Sequence, residues 1–187
     1  AYEFVFRNPQ EIINSYGITI MITAVGTGVG LIFLTMTAFV ISRKDFKYRN
    51  VISFYFYFTT LFNGGMVCTY IFYIQYYGLK DNLLALILPG LTPVFYLLIM
   101  RNFVSGIPAA LIESAKIDGA GELRIFFQIV LPLLGSGLAT IGLFMALTYW
   151  NDWYNAMLYI NTEWKYPLQY MLYNMIQKAA AMARVAS

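Results

Sequence analysis

Four long stretches of this chain carry no charged side chain, residues 12–42, 51–79, 82–100 and 125–151, and short polar segments separate them. Each stretch can supply the roughly 20 residues of helix that cross a hydrocarbon core. In lipid only a helix or a closed barrel satisfies its own backbone. The stretches are too long and too evenly apolar for alternating barrel strands of about 10 residues. The pattern predicts an all-α integral membrane protein, a polytopic helical bundle forming one domain over 1–187, with spans over 13–41, 51–77, 83–101 and 129–150. A polar insert, 101–128, separates the last two spans, and a tail, 151–187, follows them.

Periodicity inside these segments refines the picture. Gly26 and Gly30 are spaced to let helices approach closely. The run Gly26-Thr27-Gly28-Val29-Gly30 has neither the preceding strand nor the lysine or acidic partner of a phosphate-binding loop. Tyrosines and phenylalanines gather at both ends of the second stretch, as interfacial aromatic belts do. Asn63-Gly64-Gly65 puts an amide and two helix-weakening residues mid-span, which predicts a face turned to protein or to a water-filled path. Tyr57, Asn63, Tyr70 and Asn151 are candidates for a substrate path, since flat aromatic faces suit sugar rings. Asn151 also fits an end-of-span position beside Trp150 and Trp153. Pro89, Pro93 and Pro132 predict kinks, tolerated in a bundle where neighbours re-satisfy the freed carbonyls. In the tail, Leu168, Met171, Leu172, Met175 and Ile176 share one helical face, predicting an amphipathic surface helix rather than a fifth span.

Charge orients the chain. Only 11% of its 187 residues are charged and the net charge is +3, far below the ~25% charged content of a soluble domain. Arg43, Lys44, Lys47 and Arg49 crowd the loop after the first span, whereas the next loop has only Lys80 beside Asp81. The positive-inside rule puts the first loop and the 101–128 insert in the cytoplasm and the tail outside. No basic footprint for nucleic acid is present. Histidine is absent and Cys68 is the single cysteine, so no disulfide framework or metal cluster is expected.

The insert is the most organised polar segment. Pro108 suits a helix start, and Ala109 to Ile117 has good helix formers, with Leu111, Ile112 and Ala115 on one side and Glu113 and Lys116 on the other. Gly119 can take a left-handed cap, Gly121 lets the chain turn again, and a helical pattern resumes from Leu123. A helix, a glycine turn and a second helix thus project from the membrane. Their apolar face is too short to bury itself, which predicts a groove on a partner.

The pattern Glu113-Ser114-Ala115, Gly119, Ile129-x-Leu131-Pro132 resembles the EAA loop of the membrane-spanning subunits of bacterial ABC importers. Arg101-Asn102-Phe103, Ile107-Pro108, Ile117-Asp118-Gly119-Ala120, Leu138-Ala139-Thr140 and Trp150-Asn151-Asp152-Trp153 are similar to the carbohydrate-importer branch. Phe62-Asn63-Gly64-Gly65 and Leu86-Ile87-Leu88-Pro89-Gly90 are similar to permeases for aldouronates or polysaccharide fragments. The resemblance implies a type I importer core, multi-pass in the bacterial cytoplasmic (inner) membrane, whose loop is a coupling helix seated in an ATPase subunit. Glu113, Ser114, Ala115, Asp118, Gly119 and Ala120 would form the docking segment, with Arg101 and Arg124 at its edges; Ser114 stands where the family usually has alanine.

The implied partners are a cytoplasmic ABC ATPase dimer, a second and different permease chain, an extracytoplasmic solute-binding protein and the lipid bilayer. ATP and magnesium would be bound by the ATPase, since this chain has no GxxxxGK[ST] sequence; the chain is expected to be no enzyme and to carry no cofactor or metal. The cargo would be a sugar, an oligosaccharide by the nearest resemblance. Family permeases usually carry a helix before the first span and another after the tail, which implies that one terminal helix is missing at each end of this sequence. Two other classes stand beside this reading. An ion-gradient-driven secondary transporter would place ionisable residues at mid-membrane, and these stretches have none. A scaffold subunit without a path would be found without an ATPase partner.

Overall fold

The first apolar stretch folds as one unbroken helix, Pro9–Ser42 (α1), in a computed structural model that describes residues 9–62 and 64–186, the side chains of Val185 and Ala186 excepted. The helix is apolar on every side: Ile18, Ile22, Leu34 and Ala38 are buried, while Ile13, Ile20 and Phe33 are exposed. A helix of that kind belongs in a core or in lipid.

The other three stretches are broken. The second divides into Arg49–Leu61 (α2) and Gly65–Ile71 (α3), the latter continued by a π-helical turn, Phe72–Tyr76. Gly65 has φ +79°, which ends any continuation of α2. The third divides into Leu84–Ile87 (α4), a 3₁₀ turn at Leu88–Gly90 and Val94–Ser105 (α5), and Pro93 directly precedes α5. The insert supplies Ala109–Ile117 (α6) and Glu122–Ile125 (α7). A π-helical turn, Phe126–Val130, and Leu131–Leu133 (α8) follow, and the chain then bends by 81° into Gly135–Trp150 (α9). The span expected to begin at 129 thus runs straight only from Gly135. Pro132 has no N–H for the α-helical ladder and the π-helical widening sits immediately before it, so the bend has a local cause. The tail forms Tyr154–Tyr159 (α10), a 3₁₀ turn at Glu163–Lys165 and Leu168–Ala186 (α11). Among the described residues no strand occurs. One helix, α1, is long and apolar enough to cross a membrane by itself, and up to four crossings result if each bent pair is one span.

Contacts divide the chain into two compact units. The first gathers Ala1–Gly26, Gly64–Gly90 and Ala146–Ser187. Within it the Tyr149 ring lies against Gly26 and Gly90: a Cβ at either glycine would stand 2.7 to 3.0 Å from its atoms. The Tyr149 hydroxyl donates to the Ile87 carbonyl at 2.8 Å, supplying a partner where the α-helix gives way before Pro93. Thr19, fully buried in α1, accepts the Leu168 N–H at 2.9 Å, one of the donors that α11 leaves unpaired at its start. Leu168 and Met171 of the amphipathic face are buried, and Leu172 and Ile176 are exposed.

The same unit holds a clamp that the sequence disguises as a bare turn. Asp81 has φ +58°, a left-handed conformation that aspartate tolerates better than most residues. Its carboxylate accepts from the Asn161 and Thr162 N–H groups at 3.0 Å each, from the Thr162 hydroxyl at 2.7 Å and from Lys165 Nζ at 2.8 Å. Lys165, followed by Thr162, holds this carboxyl well below the usual carboxylate range.

The second unit gathers Thr27–Asn63 and Leu91–Met145. Its core includes Leu34, Leu97, Met100, Ile125, Val130 and Ile141. A Cβ at Gly30 would meet the end of the Met145 side chain and stand 3.1 Å from the Leu91 carbonyl, and one at Gly137 would stand 2.9 Å from the Phe103 ring. Gly26 and Gly30 therefore serve close packing, whereas Gly28 faces open space.

Candidate functional site

The insert is a short helix with a built stop. Ala109 follows Pro108, whose ψ of 126° places it outside the helix as the flanking residue rather than in the first turn. At the other end Gly119 takes φ +78°. The Ala120 N–H reaches back to the Ala115 carbonyl at 2.9 Å and the Gly119 N–H to that of Lys116 at 3.0 Å. These two bonds, with a left-handed glycine between them, make a Schellman cap, so carbonyls at the helix end are satisfied without a partner. Gly121 is extended, its carbonyl accepts from Ile125 at 3.0 Å, and α7 begins.

Burial sorts the side chains of α6. Ala115 is buried and seats the helix, while Leu111, Glu113, Ser114, Asp118 and Gly119 are exposed and Ala120 is half-buried. Ile117 is 87% exposed and Leu123 64% exposed. Uncovered apolar side chains on a polar projection mark an interaction surface when they cluster. The apolar side of the sequence pattern, Leu111, Ile112 and Ala115, does not include Ile117; helical spacing pairs Ile117 with Glu113, on the polar side.

A ring of charges braces the projection. Arg43, at the end of α1, grips Asp45 through Nε and Nη2 and reaches Glu122 through Nη1. Lys116 Nζ closes the circuit, 3.0 Å from Asp45 and 3.2 Å from Glu122. Each cation therefore touches both anions. The Arg43 side chain is 12% exposed, whereas Asp45 and Glu122 are more than half exposed. Hydrogen bonding from Arg43, then from Lys116, holds the Asp45 carboxyl well below its ordinary range, and Lys116 is raised, chiefly by Asp45. Pairs whose partners are largely solvated contribute little to stability, so the ring fixes geometry more than it adds stability. In the sequence Arg43 stands out only as a topological charge; Asp45 is two residues away, but Glu122 and Lys116 lie far along the chain and give no local signal of pairing.

Arg101 lies inside α5, half-buried, rather than in a loop, and Arg124 is exposed in α7 with Nε 2.9 Å from Gln128 Oε1. Beside α6 an open cavity of about 520 Å³ is lined by Asn102, Phe103, Ile107, Pro108, Leu111 and Leu133 among others.

The expected path residues fall in both units, and each described one is placed within its own unit. Tyr57 is exposed on α2 in the second unit. Tyr70 belongs to the first unit, where its ring stacks on Tyr159 with centroids 5.9 Å apart, against a small core of Leu79 and Ala85. Asn151, also in the first unit, donates to the Leu147 carbonyl at 2.8 Å and accepts from Gln169 at 3.3 Å. Asn63 lies outside the described residues. Among the described residues no cluster of ligating side chains suits a metal ion.

Residues 29–186 match the family model described as binding-protein-dependent transport system inner membrane component. The polygalacturonan/rhamnogalacturonan transport system permease protein YtcP of Bacillus subtilis (strain 168) is 41% identical over 182 residues, 97% of this chain and 63% of that protein. Protein LplC of the same organism is 43% identical over 172 residues, 92% of this chain and 58% of that protein. The crystal structure of a bacterial ABC transporter involved in the import of the acidic polysaccharide alginate is similar with a TM-score of 0.84 and 32% identity, covering 93% of this chain and 64% of that one. The chain thus spans about three-fifths of the length of these curated relatives.

Proposed function

The chain belongs to the family of binding-protein-dependent transport system inner membrane components, and from that premise we propose that it is a multi-pass, membrane-spanning subunit of an ATP-driven importer of oligosaccharides. It pairs with a second, different permease chain to form the path. A cytoplasmic ATPase dimer, which binds ATP and magnesium, receives its coupling helix, and an external solute-binding protein delivers the sugar. This subunit hydrolyses nothing itself. The observation that carries the reading is α6 in a chain of this family: a Schellman-capped helix presenting Glu113, Ser114, Ile117, Asp118 and Gly119 uncovered. Arg101 and Arg124 flank that docking segment. Closure of the ATPase dimer would move α6 and switch the spans between inward and outward access as rigid bodies. The names of two of these similar proteins, which concern polygalacturonan/rhamnogalacturonan and the acidic polysaccharide alginate, support a polysaccharide fragment as cargo. Tyr57, Asn63, Tyr70 and Asn151 are the residues offered for the path.

The test is reconstitution of the full importer in proteoliposomes with ATP inside the ATPase-facing compartment. Gly119→Pro and Glu113→Lys should each abolish ATP-driven sugar uptake while membrane insertion persists. Normal uptake by either variant overturns the coupling role. Cysteine labelling of positions 57 and 63 should be slowed by bound sugar, and lipid-facing accessibility at both would remove them from the path.

A further inference from the structure

We infer that the ring formed by Arg43, Asp45, Lys116 and Glu122 is a strut that fixes the coupling helix to the end of α1, so that a push on α6 reaches the longest apolar helix directly. The inference rests on the proposed coupling role of α6 and adds a positioning device to it.

Three features of the ring support a mechanical role. First, it joins three elements at one point: the residues just after α1, the last turn of α6 and the first residue of α7. Lys116 and Glu122 lie on opposite sides of the Gly119 turn, so the ring closes the two arms of the projection as well as fastening them to α1. Second, the pivot is ordered. The Arg43 side chain is half-buried, its guanidinium lies 5.4 Å from the Phe39 ring centroid, and its planar fork is spent on two carboxylates. Lysine would supply the charge without that fork. Third, the carboxylates are largely solvated, so the ring adds little to stability. An arrangement that orders three elements while adding little stability is suited to transmitting displacement.

The ring is separate from the docking surface. Glu113, Ile117 and Asp118 take no part in it, so its loss should spare ATPase association. The experiment measures, in the reconstituted importer, ATPase co-purification, ATP hydrolysis and sugar uptake for wild type, Arg43→Gln, Glu122→Gln and the fourfold exchange Arg43→Glu, Asp45→Arg, Lys116→Glu and Glu122→Lys, which keeps every contact of the ring between unlike charges. Coupling between sites in proteins is commonly worth about 5–150-fold. Each single variant is expected to retain the ATPase and to hydrolyse ATP, with sugar moved per ATP lowered about fivefold or more; the exchange should recover part of that ratio. An unchanged ratio in both single variants overturns the strut. Loss of the ATPase from both overturns it as well, by making the ring part of docking. Failure of the wild type to take up sugar with ATP would instead dispose of the proposed function, so the two ideas fail in different ways.

Discussion

Lys116 Nζ and Glu122 Oε1 stand 3.2 Å apart across the Gly119 turn, so backbone hydrogen bonds close this turn from inside and an ion pair closes it from outside. The turn's backbone conformation is then the element with least freedom to change, and it gives the first prediction.

Gly119 has open space around its Cα, so substitution there acts through φ and not through a clash. A residue with a Cβ loses about 1–2 kcal/mol in the left-handed region, and asparagine loses less than most. Gly119→Ala should lower the melting temperature in detergent by about 2–8 °C, since 1 kcal/mol shifts a chain of this size by about 2–4 °C, and Gly119→Asn by less. Equal melting of alanine and glycine forms would show that the Schellman cap does not form.

Tyr149 offers a test of helix packing. A Cβ at Gly26 would come within 2.7 Å of its ring, and overpacking of this kind costs about 1–3 kcal/mol. Gly26→Ala should therefore destabilise the protein, while Gly28→Ala, with nothing nearby, should be neutral. Tyr149→Phe keeps the ring and strands the Ile87 carbonyl, a loss of about 1–3 kcal/mol for a buried acceptor. Thermal unfolding of the three variants separates these effects, and comparable melting for the substitutions at 26 and 28 would contradict the close approach.

How far the sequence went can be judged from such residues. Gly26 and Gly30 were legible as packing positions because small residues at helical spacing have few other uses in an apolar helix. Pro93 was legible as a break that a neighbour must repair, although nothing in the pattern named Tyr149 as the donor. The stop at Gly119 followed from local chemistry alone. The division of the second stretch at Gly65 and the bend beyond Pro132 fall near residues whose chemistry weakens a helix, but their angles depend on backbone torsions that the letters do not encode. The partners of Asp81 and Arg43 depend on distant segments meeting: Asp81 was read as one charge in a short turn, yet it organises Asn161, Thr162 and Lys165.

That clamp gives a pH dependence of definite sign. The Asp81 carboxyl is held below its ordinary value, first by Lys165, so its contribution to stability is complete above the unfolded pKa of about 3.9 and is lost as pH falls through the lower folded value. Between pH 7 and 5 this group should leave stability unchanged, and below about pH 4 the protein should weaken steeply. Asp81→Asn should melt at least about 2 °C lower at pH 7 and show a shallower acid limb. Parallel curves for the two proteins from pH 6 to pH 3 would mean that Asp81 is not ionised in the clamp.

Ile117 supplies the sharpest separation of docking from folding. At 87% exposed it buries almost nothing within this chain, and surface substitutions away from special features change stability by no more than about 0.5 kcal/mol. Ile117→Ser should therefore leave melting unchanged. If a partner covers this side chain, removing it forfeits about 1.5–3 kcal/mol of apolar burial, or roughly 10- to 150-fold in affinity. Ala115→Leu makes the opposite comparison: that position is buried, so added bulk should unseat α6 and lower stability first. The measurement is retention of the ATPase on the purified membrane complex as detergent-solubilised samples are diluted. Ile117→Ser should release it at higher concentration than wild type, with an unaltered melting curve. Retention identical to wild type would place the contact elsewhere on α6 and would leave Glu113 and Asp118 as the residues to test.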